Sequence, residues 1–188
     1  MVLTAHPRHP EVTRPMNDSL IPELPDFDDP LAVLAACHER MLGQCATLEK
    51  LVDHIRDKGL DAEARSAVGK VAGYFNTSAV HHHQDEEQDL FPLLNRQSLK
   101  LAELIHGLRK QHKALDAAWE TLQGDLKKAF NLPDDPDFPG HVAEFCRLYR
   151  EHIETENREL LPIARHILSS RQLEDIGRAM AKRRGLRR

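Results

Sequence analysis

Two segments of the chain share one pattern, and this repeat constrains the fold more than any other feature of the sequence. The pattern reads HxxxExxDLFP from His82 and HxxxExxELLP from His152. In each copy the histidine and the glutamate, Glu86 or Glu156, are four residues apart. Residues at that spacing lie on one face of an α-helix, one turn apart. The repeat therefore predicts two helices that each direct one imidazole and one carboxylate to the same side.

Apolar residues that recur at spacings of three and four predict long helices, each with a single buried stripe. The first helix begins at Asp29-Pro30, where an acidic N-cap precedes a proline, and it ends at Gly59. Asp61 caps the second helix, which carries the first copy of the repeat. The periodicity also assigns Val52 and Ser78 to the buried stripes of these two helices.

The second part of the chain has the same organisation. A third helix follows Ser98, and a fourth helix, which carries the second copy of the repeat, begins at about His141. Proline and aspartate residues in the segment 131–139 predict a loop between them. The first and third helices each place one histidine, His38 or His112, within an otherwise apolar stripe. The chain therefore resembles two helical hairpins related by duplication.

These elements predict an all-α fold, an antiparallel up-down-up-down four-helix bundle formed by residues 29–168. The proline-rich residues 1–28 are predicted to form an extended N-terminal arm. Residues 169–188 predict a short amphipathic fifth helix, from Ser169 or Ser170, and a basic tail. We expect the arginines of that tail to be solvated.

The composition excludes several classes of protein. A length of 188 residues with 40% hydrophobic and 30% charged residues is typical of one globular domain, and a net charge of -4 argues against nucleic acid as a partner. The chain has neither an apolar run that would span a bilayer nor a secretory signal, so we expect a cytoplasmic protein, monomeric or homodimeric, without a membrane partner. Cys37, Cys45 and Cys146 predict buried thiols rather than a disulfide framework.

Polar residues at six stripe positions predict a metal site. An unpaired carboxylate in a helical core loses its charge or binds a cation, and two divalent ions would balance two glutamates and leave charge for a small bridging anion. Mixed nitrogen and oxygen ligands suit iron, manganese or zinc rather than calcium or magnesium. The predicted metal ligands are His38, His82, Glu86, His112, His152 and Glu156.

At these positions the sequence resembles the hemerythrin-like, or HHE cation-binding, family, from about residue 29 to residue 168. The resemblance implies a four-helix bundle with two irons per chain, bridged by two carboxylates. It assigns the two glutamates to the bridging positions and one histidine pair to each iron, His38 with His82 and His112 with His152.

The sequence departs from the oxygen-carrying members in two ways. Those members have a second histidine on the third helix, where this chain has Leu108 on one side of His112 and Asp116 on the other. They also have an aspartate at the position of Glu156. A set of four histidines and two glutamates is more similar to members associated with iron sensing or with repair of iron centres. The departures therefore argue against simple oxygen transport.

The leading hypothesis is a non-haem di-iron binding protein. Its partner would be oxygen, peroxide or nitric oxide, which it binds or senses, or it would hold iron for delivery or repair. One alternative is a di-iron enzyme that acts on peroxide or oxygen, and another is a zinc-stapled structural or interaction module.

For several other residues, the sequence gives weaker evidence of a role in the metal site. His81 and His83 point about 100° to either side of His82, which favours solvent or indirect roles. Asp116 lies one turn beyond His112 and is considered as an extra ligand or as a partner that orients an imidazole. His54, His106, His141 and His166 are predicted to be at the surface. Pro92 and Pro162 predict a kink or an end just past the metal level of their helices.

Overall fold

The structure, a computed structural model, describes residues 26–186 and is all-helical over that range, without a strand. Most of the predicted arm at residues 1–28 lies outside the described residues. The elements of the described residues are α1 (Pro30–Lys58), α2 (Ala62–Gln84), a π-helical segment π1 (Asp85–Leu90), α3 (Phe91–Leu94), α4 (Leu99–Lys127), a 3₁₀ turn (Ala129–Asp134), α5 (Phe138–Thr155), a second π-helical segment π2 (Glu156–Leu160), α6 (Leu161–Ile167) and α7 (Ser170–Arg183).

Side-chain caps define the beginnings of the first two long helices, as the sequence predicts. The Asp29 carboxylate accepts a hydrogen bond of 3.0 Å from the Ala32 backbone N–H, and Pro30 occupies the first turn of α1. The Asp61 carboxylate accepts from the Ala64 N–H at 2.8 Å at the start of α2. Gly59, with φ of 75°, separates the two helices in a conformation that favours glycine.

The helices that carry the repeat are not α-helical throughout. α2 continues into π1 and α3, and α5 continues into π2 and α6. In both copies the N–H of the residue before the proline, Phe91 or Leu161, bonds to the carbonyl of the repeat glutamate, five residues back. The prolines lack an N–H and clash with the carbonyl four residues back, so a wider turn at this level accommodates them. The predicted kink is therefore a π turn.

The connection between α4 and α5 differs from the predicted loop. Residues Ala129–Asp134 form a 3₁₀ turn, and α5 begins at Phe138, ahead of the predicted start at about His141. Pro139 lies in the first turn of α5. A backbone N–H in the first turn has no intrahelical acceptor, so proline costs no hydrogen bond there. The turn signals therefore correctly predicted a break between the two helices, but much of this segment is a 3₁₀ turn and α5 begins earlier than predicted.

Two hydrophobic clusters lie on either side of a polar layer in the core. α1 packs on α2 and α5, and α4 packs on α5 and α2. His38 lies in the polar layer, between Leu34 of one cluster and Met41 of the other. One stripe assignment is wrong, because Ser78 is exposed beside the buried Ala79, whereas Val52 is half-buried and packs against the first cluster beside the buried Leu51. The three cysteines are buried and free, as predicted.

An aromatic group in one cluster lies next to the polar layer. The Phe75 ring packs at 5.1 Å from Trp119, 4.9 Å from Phe145 and 5.3 Å from Tyr149, measured between ring centroids. Tyr149 lies one helical turn before His152 on α5. This aromatic group therefore connects the one tryptophan of the chain to the edge of the polar layer.

Helix α7 packs on α1 and on π1, and its first turn carries a capping box formed by Ser169 and Gln172. A Cβ added at Gly177 would overlap the Phe27 carbonyl oxygen, so the helix and the segment before α1 are in close contact. Within the described residues, no helix has the length and apolar character needed to cross a membrane.

Arg183 and Arg184 are not free in solvent, contrary to the prediction for the basic tail, whose other arginines, Arg187 and Arg188, lie outside the described residues. Arg183 and Arg184 both bind the carboxylate of Asp85, which is completely buried in π1. Arg183 also binds Asp89 at 2.8 Å, and the Arg184 guanidinium lies 5.5 Å from the centre of the Phe27 ring. These contacts attach α7 to the segment that carries Glu86.

Candidate metal centre

All six predicted ligands lie in the polar layer and are buried. They come from α1, α2, π1, α4, α5 and π2, and none is more than 4% exposed: His38, His82, Glu86, His112, His152 and Glu156. The backbone carbonyl of each glutamate accepts the hydrogen bond that closes a π-helical turn. The repeat thus has the same local conformation in both halves of the chain.

The four imidazoles form two pairs. The Nε2 atoms of His38 and His82 are 3.2 Å apart, and those of His112 and His152 are also 3.2 Å apart. The two rings of each pair are steeply inclined, at 73° and 64°. The histidines that the resemblance assigns to the same iron are therefore neighbours in the structure.

The two carboxylates lie between the histidine pairs. Glu86 directs Oε1 to His82 Nε2 at 3.2 Å and Oε2 to His112 Nε2 at 3.3 Å, so its two oxygens face different pairs. Glu156 Oε2 lies 3.1 Å from His38 Nε2 and 3.3 Å from His152 Nε2. The result is two groups of four ligand atoms, each within 4.8 Å of one another, that share both glutamates.

Hydrogen bonds on the outer side orient three of the four imidazoles. His112 Nδ1–H donates to Glu87 at 2.9 Å, and Arg109 donates to the same carboxylate at 2.8 Å. His38 Nδ1–H donates to the Asn157 side chain at 2.7 Å. His152 Nδ1–H donates to Gln111 at 3.0 Å. With Nδ1 protonated, each Nε2 presents a lone pair to the centre, as a metal-binding histidine requires.

These partners escaped the sequence reasoning, although the repeat contained a signal for two of them. Glu87 and Asn157 each follow a repeat glutamate directly, and each orients a histidine of the other half. Gln111 precedes His112, and the residue that precedes His38 is Cys37. Nδ1 of His82 is buried without a hydrogen-bond partner among the described residues, because the position that corresponds to Gln111 holds a thiol.

The buried atoms of the centre fit a cation. All four carboxylate oxygens of Glu86 and Glu156 are buried without a hydrogen-bond partner among the described residues, since their contacts with the imidazoles lack hydrogen-bond geometry. When these groups are unprotonated, the facing imidazole lone pairs and the carboxylates repel one another in the core, and bound cations remove that cost. The donor set therefore fits a metal better than a hydrogen-bonded polar layer.

The electrostatics without a metal support this conclusion. Burial lowers the pKa of His38, but its contacts with Glu156 and Glu86 outweigh burial and raise that pKa to about 10. The pKa of His112 is raised to about 9 in spite of burial, by the neighbouring Glu86. Burial and the charge of Glu86 raise the pKa of Glu156 to about 7. Without a metal, protons on these groups would therefore offset the buried carboxylate charge, and a metal that binds must displace them.

His83 lies closer to the centre than its helical angle suggested. Its ring stacks on His112, with centroids 4.2 Å apart, and it lies 6.2 Å from Tyr149 on its other side. The Phe91 ring is nearly parallel to that of His112, with centroids 5.6 Å apart. Burial, followed by the charge of His112, holds the pKa of His83 well below its usual range, so the ring is neutral.

The remaining polar residues lie outside the centre. Asp116 is exposed and does not join either group of candidate ligands. His106 and His166 are exposed, as predicted. His54 is instead half-buried, with its Nε2 at 3.0 Å from the Asp61 carboxylate, and His141 lies 2.8 Å from Asp125. These two histidines pair with acidic residues near the ends of helices.

Comparison with known proteins agrees with this geometry. A family model described as the hemerythrin HHE cation-binding domain matches residues 29–164. An uncharacterized protein of Haemophilus influenzae is 31% identical over 159 residues, which cover 84% of this chain and 91% of the relative. The range of the family model spans the positions of all six candidate ligands, and the match confirms the family that the sequence resembles. The chain therefore belongs to the hemerythrin HHE cation-binding domain family.

Proposed function

We propose that the protein is a cytoplasmic non-haem di-iron protein that binds or senses oxygen, peroxide or nitric oxide, or holds iron for delivery or repair. The observation that carries this proposal is the pair of four-ligand groups that share Glu86 and Glu156. Short connections between packed helices also support an antiparallel, up-down-up-down arrangement of the four long helical stretches.

The position of Glu86 supports two metals rather than one. Its two oxygens face different histidine pairs, at 3.2 Å from His82 and 3.3 Å from His112. A single ion would leave one histidine pair and one carboxylate oxygen without a partner in a buried layer, which is costly. Two ions, each with two imidazoles, use every donor of the centre.

The ligand types support iron. Four neutral imidazoles and two carboxylates suit iron, manganese or zinc, whereas calcium and magnesium prefer oxygen ligands alone. Two imidazoles and two carboxylates per ion leave coordination positions for a small molecule. An iron pair would supply redox chemistry and small-molecule binding at those positions.

The protein's own residues orient and shield the centre. Asn157, Glu87 and Gln111 fix the tautomers of three imidazoles. The two hydrophobic clusters exclude water above and below the layer. The zinc-stapled module is less well supported, because Arg183 and Arg184, which would form its partner surface, bind Asp85 within the chain.

Metal analysis tests this function. Protein produced with adequate iron should contain close to two irons per chain and, when oxidised in air, should absorb in the near ultraviolet through charge transfer in an oxo-bridged ferric pair. One zinc per chain without that absorption would refute the di-iron proposal. Repeated consumption of peroxide by the loaded protein, without loss of iron, would instead favour the enzymatic alternative.

A further inference from the structure

A surface cleft leads to one half of the metal centre. It lies between α4 and the consecutive segments α2 and π1, has a volume of about 560 Å³, and includes His112 in its lining. His112 is 4% exposed, whereas His38 and His82 are completely buried. The metal position of His112 and His152 is therefore the one that this cleft approaches.

His83 lies in the wall of the cleft beside that metal position. Its Nε2 is buried and has no hydrogen-bond partner among the described residues. One ring nitrogen of His83 lies within 4.8 Å of ring nitrogens of His112 and His152. A ring nitrogen that is buried in the protein interior without a hydrogen-bond partner needs one, and within the described residues the chain supplies none.

The other half of the centre lacks this arrangement. The position that corresponds to His83 in the second copy of the repeat is Ile153, which is 2% exposed and belongs to a hydrophobic cluster. The duplicated framework thus carries an imidazole on one side and an aliphatic side chain on the other. A polar ligand is accommodated on the side of His83 and excluded from the side of Ile153.

The charges along the cleft favour an anion. Arg109 is paired with Glu87, but Lys110 and Lys113 form no ion pair within the described part of the chain. Asp116 is the other carboxylate in the lining. Three cationic side chains therefore face two carboxylates, and the excess positive charge attracts a small anion towards the opening.

We propose that a small anion, of the size and charge of azide, nitrite or hydroperoxide, enters this cleft to reach the metal held by His112 and His152, and that His83 donates a hydrogen bond to it. This inference rests on the proposed function, since it requires a metal in the centre. It adds the route, the charge of the ligand and the residue that recognises it.

Azide binding to the metal-loaded protein tests the inference, with the dissociation constant measured by calorimetry and the association rate by stopped flow. His83→Phe keeps an aromatic ring against His112 and removes the nitrogen, so it should raise the azide dissociation constant about tenfold, the effect of one lost hydrogen bond. Metal content should stay at the wild-type level. Loss of metal from this variant would make His83 a ligand and overturn its role as a donor.

A second variant tests the route without altering the buried residues. Lys110→Glu combined with Lys113→Glu should slow azide association about tenfold at low salt, and the difference should shrink at high salt. Binding of neutral nitric oxide should not change. Lys50→Glu, on the exposed surface of α1, is the matched control and should behave as the wild type.

The two proposals fail in distinguishable ways. If the wild-type protein holds no metal, both are refuted. If it holds metal but does not bind azide, or if both cleft variants bind azide as the wild type does, the cleft proposal is overturned and the metal-binding function stands.

Discussion

At the scale of single residues, each half of the chain completes the metal centre of the other. Asn157 orients His38 and Glu87 orients His112, although each belongs to the opposite copy of the repeat. Such outer partners fix the ring and its tautomer, and their loss lowers metal affinity by about 10–100-fold in other proteins. The unpaired Nδ1 of His82 marks the one point among the described residues at which the two halves differ in this respect.

Glu156→Gln tests the bridging carboxylates. The amide removes one negative charge and directs N–H groups towards imidazole lone pairs, so metal affinity should fall by more than the roughly 100-fold expected for loss of an outer partner. Glu159→Gln, an exposed change of the same chemistry three residues later, is the control. Metal content per chain after dialysis is the measurement, and equal content in the two variants would contradict the assignment of Glu156.

The residues of the centre could be predicted because the helical periodicity of the apolar residues and the duplicated motif indicate the same positions. A single buried histidine is uninformative, but His38, His82, His112 and His152 fall on four separate apolar stripes. His83 was harder to place, because a rotation of about 100° away from His82 points to solvent on an isolated helix and to α4 in a bundle. Which flank of a helix is covered by a neighbouring helix depends on how the helices pack. The sequence pattern of one helix alone does not show this.

At the scale of elements, α7 stabilises the segment that carries Glu86. Asp85 is completely buried and is balanced by Arg183 and Arg184 from the end of α7. The sequence did not reveal this contact, because the partners are nearly a hundred residues apart and no local pattern joins them. The π turns were missed for a related reason, since the proline predicts a disturbed helix but not the wider turn that accommodates it.

Asp85→Ala tests the attachment of α7. The substitution leaves two arginines without their buried partner and should lower the free energy of unfolding by about 3 kcal/mol, the lower end of the range for a broken buried ion pair, because the arginines are partly exposed. Asp175→Ala breaks the exposed pair with Arg178 within α7 and should change stability little. Urea denaturation of both metal-loaded variants makes the comparison, and similar midpoints would contradict the proposed role of Asp85.

At the scale of the whole molecule, the polar layer couples metal binding to stability. Two hydrophobic clusters meet at a layer of six ionisable groups, and without a cation those groups must share protons in a buried site. The folded state binds the metal through all four long helical stretches, whereas the unfolded chain does not hold these ligands together. Metal binding therefore stabilises the fold as a whole.

Metal removal should lower the free energy of unfolding by several kcal/mol at neutral pH, about 4 kcal/mol if the free metal had been at a thousandfold its dissociation constant. Thermal denaturation before and after treatment with a chelator measures the change. Glu156→Gln should melt at a temperature that the chelator does not alter. An equal response of wild type and variant to the chelator would show that the metal acts elsewhere.

The aromatic group beside the polar layer gives the protein an optical property. Trp119 is the one tryptophan of the chain and lies seven residues after His112 on α4, about 10 Å along the helix axis. Its emission lies close in wavelength to the near-ultraviolet absorption expected of an oxo-bridged ferric pair, and energy transfer over such a distance is efficient. The fluorescence of Trp119 should therefore be bright when the centre holds no metal and quenched when it holds the ferric pair. Tryptophan fluorescence would then report metal occupancy directly.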